Sequence, residues 1–148
     1  MILYNWDTQL WILLDIIIAC ALTGLIGYER ETDNKPAGFR TQMIIGGASA
    51  FLVALSEVAV QYYSKSYGDV VDADPARIMQ AIIIGISFVG AGTIIKAQED
   101  TTVRYLTTAT TILFSAGVGI AVSLKQYILA VGVVLIVLFI NRGLRSLK

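Results

Sequence analysis

The chain has 148 residues, with eleven basic and eleven acidic side chains, no histidine and a single cysteine, Cys20. A hydrophobic share of 56%, only 15% charged residues and a mean hydropathy of +0.72 are too apolar for a soluble domain, where about 25% of residues are charged. The missing histidines exclude imidazole bases and ligands, the lone thiol excludes an internal disulfide or thiolate metal site, and the lack of a basic block excludes nucleic acid as a partner.

Five apolar runs follow in order, against the ~20 residues that a helix needs to span a hydrocarbon core. The first, Leu10–Tyr28, carries one charge, Asp15. Its flank, MILYNWDTQLW, has no positive segment, and no small-residue cleavage site follows, so the run is expected to stay as a membrane helix rather than leave as a signal peptide. A charge-dense hairpin comes next: Glu29, Arg30, Glu31, Asp33, Lys35 and Arg40 crowd around Pro36 and Gly38, which break a continuous helix. It reads as an interlocked ion-pair cluster or partner-docking surface, or more plainly as a solvated loop.

The second run, Met43–Val60, again carries one charge, Glu57. A long loop, Gln61–Arg77, with Asp69, Asp72 and Asp74 leads to the third run, Ile78–Ile95. Asp74-Pro75 is a helix-start signal, with Asp74 as the cap and Pro75 at the first position, where its missing donor costs nothing. The fourth run, Tyr105–Leu124, is softened by Thr107, Thr108, Thr110 and Thr111, whose hydroxyls can bond to the helix's own carbonyls; it is expected to be short, bent or enclosed by protein. Gln126–Asn141 is shorter still, with Arg142 free to snorkel at its end. The expected fold is therefore all-α: a polytopic membrane bundle of about five transmembrane helices forming one domain over residues 1–148.

The positive residues set the orientation. Arg30, Lys35, Arg40, Lys96, Arg104, Arg142, Arg145 and Lys148 fall on one side, against Lys65, Arg77 and Lys125 on the other. The N-terminus is expected outside and the C-terminus inside, with Trp6, Trp11, Tyr62 and Tyr63 in an outer aromatic belt.

Membrane helices associate through small residues that let backbones approach, and residues four apart share a face. Such seams are Ala19-Thr23-Gly27, Gly46-Ala50-Ala54 and Thr111-Ser115-Gly119-Ser123, with Gly85, Gly90 and Gly92 in the third helix. They are expected to pack the bundle or to form a homodimer face. Asp15 extends the first seam by one turn, so it faces protein. At 1.5 Å per residue, Asp15 and Glu57 both lie ~20 Å from the hairpin, at one depth in neighbouring helices. With Arg77 within reach they are expected to form an acidic pocket for a cation or protons, because intramembrane carboxylates are costly and usually functional. Mg2+, which takes oxygen ligands and keeps several waters, is a candidate for Asp15 and Glu57. The plainer alternative places Glu57 in the outer membrane interface, with Asp15 capping a neighbouring helix or pairing with Arg77. No spacing supplies a nucleophile with its base, so no enzyme is expected.

The segments GLIGYERE (24–31), KPAGFRT (35–41), DPARI (74–78), GISFVGAGTII (85–95) and LTTATTI (106–112) resemble, in the same order, the MgtC/SapB family of small bacterial membrane proteins. The resemblance covers most of the first four helices. It carries Glu29, Arg30, Glu31, Lys35, Pro36, Gly38, Arg40, Asp74, Pro75, Arg77, Gly90 and Gly92 as motif positions. It implies a multi-pass inner-membrane protein with an outside N-terminus. The implied role is adaptation to low magnesium and survival inside host phagocytes, by modulating other membrane machines such as the F-type ATP synthase. The alternative is a Mg2+ or other cation or proton transporter; an absent inverted repeat and a small chain count against it. Two departures stand out. Many relatives have histidine where this chain has Gln42, and longer members add a cytoplasmic regulatory domain that is not expected here.

Overall fold

A computed structural model describes residues 6–67, 74–95 and 105–143. The expected loop residues Asp69, Asp72, Lys96, Arg104, Arg145 and Lys148 lie outside the described residues. The described chain is all-helical: α1 (Trp6–Thr32), α2 (Phe39–Tyr67), α3 (Pro75–Ile95), α4 (Leu106–Ser123) and α5 (Tyr127–Gly143). The first four are long and apolar enough to cross a membrane. At 17 residues α5 is shorter, though within the ~17–25 that can span.

The helices overrun the expected apolar runs at both ends of the first hairpin. Glu29, Arg30 and Glu31 belong to the last turn of α1, so the loop shrinks to the few residues before Phe39. A paired backbone closure ends α1: Asn34 N–H donates to Glu31 O at 3.0 Å and Lys35 N–H to Arg30 O at 2.9 Å, with Asn34 left-handed at φ 53°. Asparagine tolerates that conformation better than most residues, which is why the helix stops here. The same closure ends α4, where Lys125 N–H bonds Val122 O and Gln126 N–H bonds Ala121 O, both at 2.9 Å. There the left-handed residue is Lys125 at φ 61°, a long side chain where glycine is usual. At the start of α3, Asp74 Oδ1 accepts the Ala76 N–H at 2.9 Å, with Pro75 as the first helical residue.

The core lies among α1, α2, α4 and α5. Ala19 and Ile26 pack with Ala50, Val118, Val122, Ala130, Val134 and Val137, all buried. Small residues bring the backbones together: a Cβ on Gly119 would lie 2.1 Å from Gly46 O, and one on Gly46 would lie 2.4 Å from Thr23. A Cβ on Gly27 would meet Phe39 Cα at 2.7 Å. The fourth helix is the most enclosed, with 56% of its apolar window buried. Thr110 and Thr111 bond to the carbonyls of Thr107 and Thr108.

α3 behaves differently. Only 11% of its apolar window is buried, and it rests on α4 at Gly90, whose added Cβ would make ordinary contact with Ala109 at 3.4 Å. Gly85 and Gly92, expected as packing positions, touch no neighbour: a Cβ on either meets nothing within 4 Å, and Gly85 opens onto a cleft toward Ser49 and Leu52 of α2. The physical reason is rotation: the face that carries Ile82 and Gly90 covers the bundle, and Gly85 and Gly92 lie ~110° round the helix from its centre. Gly85→Ala and Gly92→Ala are therefore expected to leave thermal stability in detergent unchanged or to raise it by about 0.5–1 kcal/mol. A loss of more than that would place a covering surface on this face.

Candidate functional site

Asp15 and Glu57 line the same cleft, of about 890 Å3, between the first half of α1, the second half of α2 and the α4–α5 turn. Trp11, Phe51 and Leu55 furnish apolar wall, and Gln9, Gln61, Lys125 and Tyr127 polar edge. Asp15 is buried at 4% exposure, and both its oxygens are engaged. Tyr127 Oη donates to Oδ1 at 2.7 Å, and the Lys125 ammonium bonds and ion-pairs with Oδ2. The α4 terminal closure makes this possible, because it turns Lys125 back over α1 and starts α5 at Tyr127. Burial pulls the Lys125 ammonium down, but the hydrogen bond and charge of Asp15 outweigh it and hold Lys125 above its ordinary range.

Glu57 is exposed in this cleft, with the Gln61 amide at 3.4 Å as its hydrogen bond. Arg77 is not part of the arrangement. It pairs with Asp74 across 3.5 Å on an exposed turn of α3, because the Asp74 cap places an acceptor three residues before it. The expected partner of Asp15 is thus replaced by Lys125 and Tyr127. Among the described residues, no group of three His, Cys, Asp or Glu side chains stands close enough to hold a metal ion.

At the opposite end, the hairpin motif divides between buried and exposed groups. Arg30 is 5% exposed, and its Nη2 donates to Thr108 Oγ1 at 2.8 Å, bolting α1 to the start of α4. Glu31 Oε2 accepts the Phe39 N–H at 2.8 Å, so it caps α2 from across the loop. Gly38 lies close beneath it: a Cβ there would come 2.9 Å from that carboxylate oxygen and would have to displace the Glu31 cap. Glu29 accepts from Asn141 Nδ2 at 3.1 Å, which ties α1 to the end of α5. Lys35 and Arg40 are exposed, and Pro36 is half-buried in the turn.

Gln42, noted from the sequence as a departure from the resemblance, is fully buried. Its amide donates to Ala37 O at 3.1 Å and reaches Thr111 Oγ1 at 3.5 Å. Together with Ser49 and Ser115, Arg30 and Gln42 form a polar seam through the bundle, and Arg30 Nε, Gln42 Oε1 and both serine hydroxyls carry no hydrogen bond.

A family model described as "MgtC family" matches residues 16–148. The chain is 36% identical to Protein SapB of Bacillus subtilis over 84% of its own length and 53% of that protein. It is 34% identical to Protein MgtC of Salmonella typhimurium over 90% of its length and 52% of that protein. To a protein of Escherichia coli named Putative magnesium transporter YhiD it is 33% identical, over 78% of its length and 52% of that protein. The chain thus spans about half the length of these curated relatives. No solved structure matches it.

Proposed function

The chain belongs to the MgtC family of membrane proteins, and from that membership we propose that it adapts a bacterium to magnesium shortage or stress inside a host by modulating other proteins of the inner membrane, such as the F-type ATP synthase. It does so as a multi-pass protein with its N-terminus outside, and as a homodimer. The observation that carries this reading is the state of Asp15. Its two oxygens are taken by Lys125 and Tyr127, which leaves no free intramembrane carboxylate pair to strip water from a divalent cation. The direct contact of α2 with α4 at Gly46 and Gly119 also leaves little room for a path through the bundle.

A second reading, cation or proton transport, is favoured by Glu57 standing in the same cleft as Asp15 and by the name of the Escherichia coli relative. Mg2+ entry into sealed liposomes holding the folded protein and an interior Mg2+ dye separates the two. Regulation predicts no flux above empty liposomes. Flux that Asp15→Asn and Glu57→Gln both abolish would establish a transporter with that acidic pair as its site.

A further inference from the structure

We propose that the cleft between α1, α2 and the α4–α5 turn binds the headgroup of a zwitterionic aminophospholipid, with its phosphodiester at Lys125 and its primary ammonium at Glu57. The inference goes beyond the regulatory reading and does not depend on it. At about 890 Å3 the cleft falls within the ~300–1,000 Å3 usual for small-molecule sites. Its polar groups carry both signs. An ammonium has three donors, and Asp15 Oδ2 is the acidic oxygen that holds Lys125, whose side chain is 53% exposed and so retains donors for a second anion. Glu57 holds the weak amide contact with Gln61 and keeps its other acceptor sites open.

With Asp15 and Lys125 cancelling, Glu57 leaves the cleft one net negative charge, which opposes an anionic headgroup unless that headgroup brings its own cation. A primary ammonium supplies that cation and can donate to the carboxylate, whereas a quaternary ammonium cannot. The walls suit the rest of the lipid. Trp11, 61% exposed, with Phe51 and Leu55, offers an apolar track for the upper acyl chains, and Trp11 and Tyr127 are the aromatic types that settle at membrane interfaces.

Trp11 gives a local readout, since the chain's other tryptophan is Trp6. The full chain carrying Trp6→Phe is placed in nanodiscs in which a brominated phosphatidylethanolamine, phosphatidylcholine or phosphatidylglycerol replaces increasing fractions of matched plain lipid. Half-maximal quenching of Trp11 is expected at a phosphatidylethanolamine fraction about tenfold lower than for phosphatidylcholine, the size of one charge-assisted hydrogen bond. Glu57→Gln should abolish that preference, and Glu57→Lys should turn it toward phosphatidylglycerol. Equal quenching by all three lipids, a parent preference for phosphatidylglycerol, or a phosphatidylethanolamine preference that survives Glu57→Gln would each overturn the proposal.

Discussion

Lys125→Ala is expected to destabilise the bundle by about 3 kcal/mol, because it strands a buried carboxylate; the value sits at the low end for a broken buried pair since Lys125 is itself half exposed. Tyr127 keeps one oxygen of Asp15 satisfied, and the other is left without its donor. Two companions separate charge from backbone. Asp15→Asn combined with Lys125→Ala should recover more than half of the loss, since a neutral amide can keep the Tyr127 bond without needing a counter-ion. Lys125→Gly should fare about 1 kcal/mol better than Lys125→Ala, because glycine removes the left-handed strain at φ 61°. Denaturant unfolding in detergent, followed by circular dichroism, measures all three. A Lys125→Ala protein as stable as the parent would mean that the ion pair contributes nothing. The sign with pH follows from the raised Lys125 value: the stabilisation is complete through neutral pH and is lost as alkalinity rises through the folded-state value.

The largest packing effect is expected at Gly119. Alanine there would press its Cβ to 2.1 Å from Gly46 O and 3.0 Å from Ser49 Cβ. The first obstacle is backbone in a neighbouring helix, which no rotamer change relieves, so α2 and α4 must move apart. Overpacking typically costs about 1–3 kcal/mol and at times more, and Gly119→Ala belongs at or above the top of that range. Gly46→Ala meets Thr23 at 2.4 Å, a side chain held by its bond to Ala19 O at 2.8 Å, and should be milder. Unfolding midpoints in detergent test the order, with Gly119→Ala lowest. Tolerance of alanine at Gly119 equal to that at Gly85 would mean that the two backbones do not touch.

The helical bundle was legible because membrane spans are written in long apolar runs, and Asp74-Pro75 marked a helix start that the capping bond of Asp74 repeats. Asp15 was legible as protein-facing because Ala19, Thr23 and Gly27 share its face and all four are buried. Its partner was not. Both Arg77 and Lys125 stood at the right end of the bundle, and choosing between them required knowing that α4 ends in a closure that folds Lys125 back over α1. The rotation of α3 was equally hidden, since Gly85, Gly90 and Gly92 are indistinguishable by type and only a neighbour's position assigns them to a face. Arg30 was read as a loop charge because charge usually marks solvent; its burial against Thr108 depends on a residue 78 positions away. The tract of threonines in the first half of α4 was the available signal, as hydroxyls inside a membrane helix can receive a buried donor.

The close approach of Gly46 and Gly119 also has an electrical consequence. It separates the bundle's charges into two groups, Arg30 with the hairpin at one end and Asp15, Lys125 and Glu57 at the other. Asp15 and Arg30 are fifteen residues apart on one helix, ~22 Å along its axis. Between them lie tightly packed turns whose buried polar groups, Thr23, Gln42, Ser49, Thr111 and Ser115, are uncharged, so a charge moved from one end to the other would cross most of a transmembrane voltage. Carrying a full charge across such a drop is worth ~2.3 kcal/mol per 100 mV. Neither Arg30 nor Lys125 crosses it when a side chain shifts locally, so small rearrangements at one end leave the other insulated from them. Any signal between the two ends has to travel as movement of whole helices.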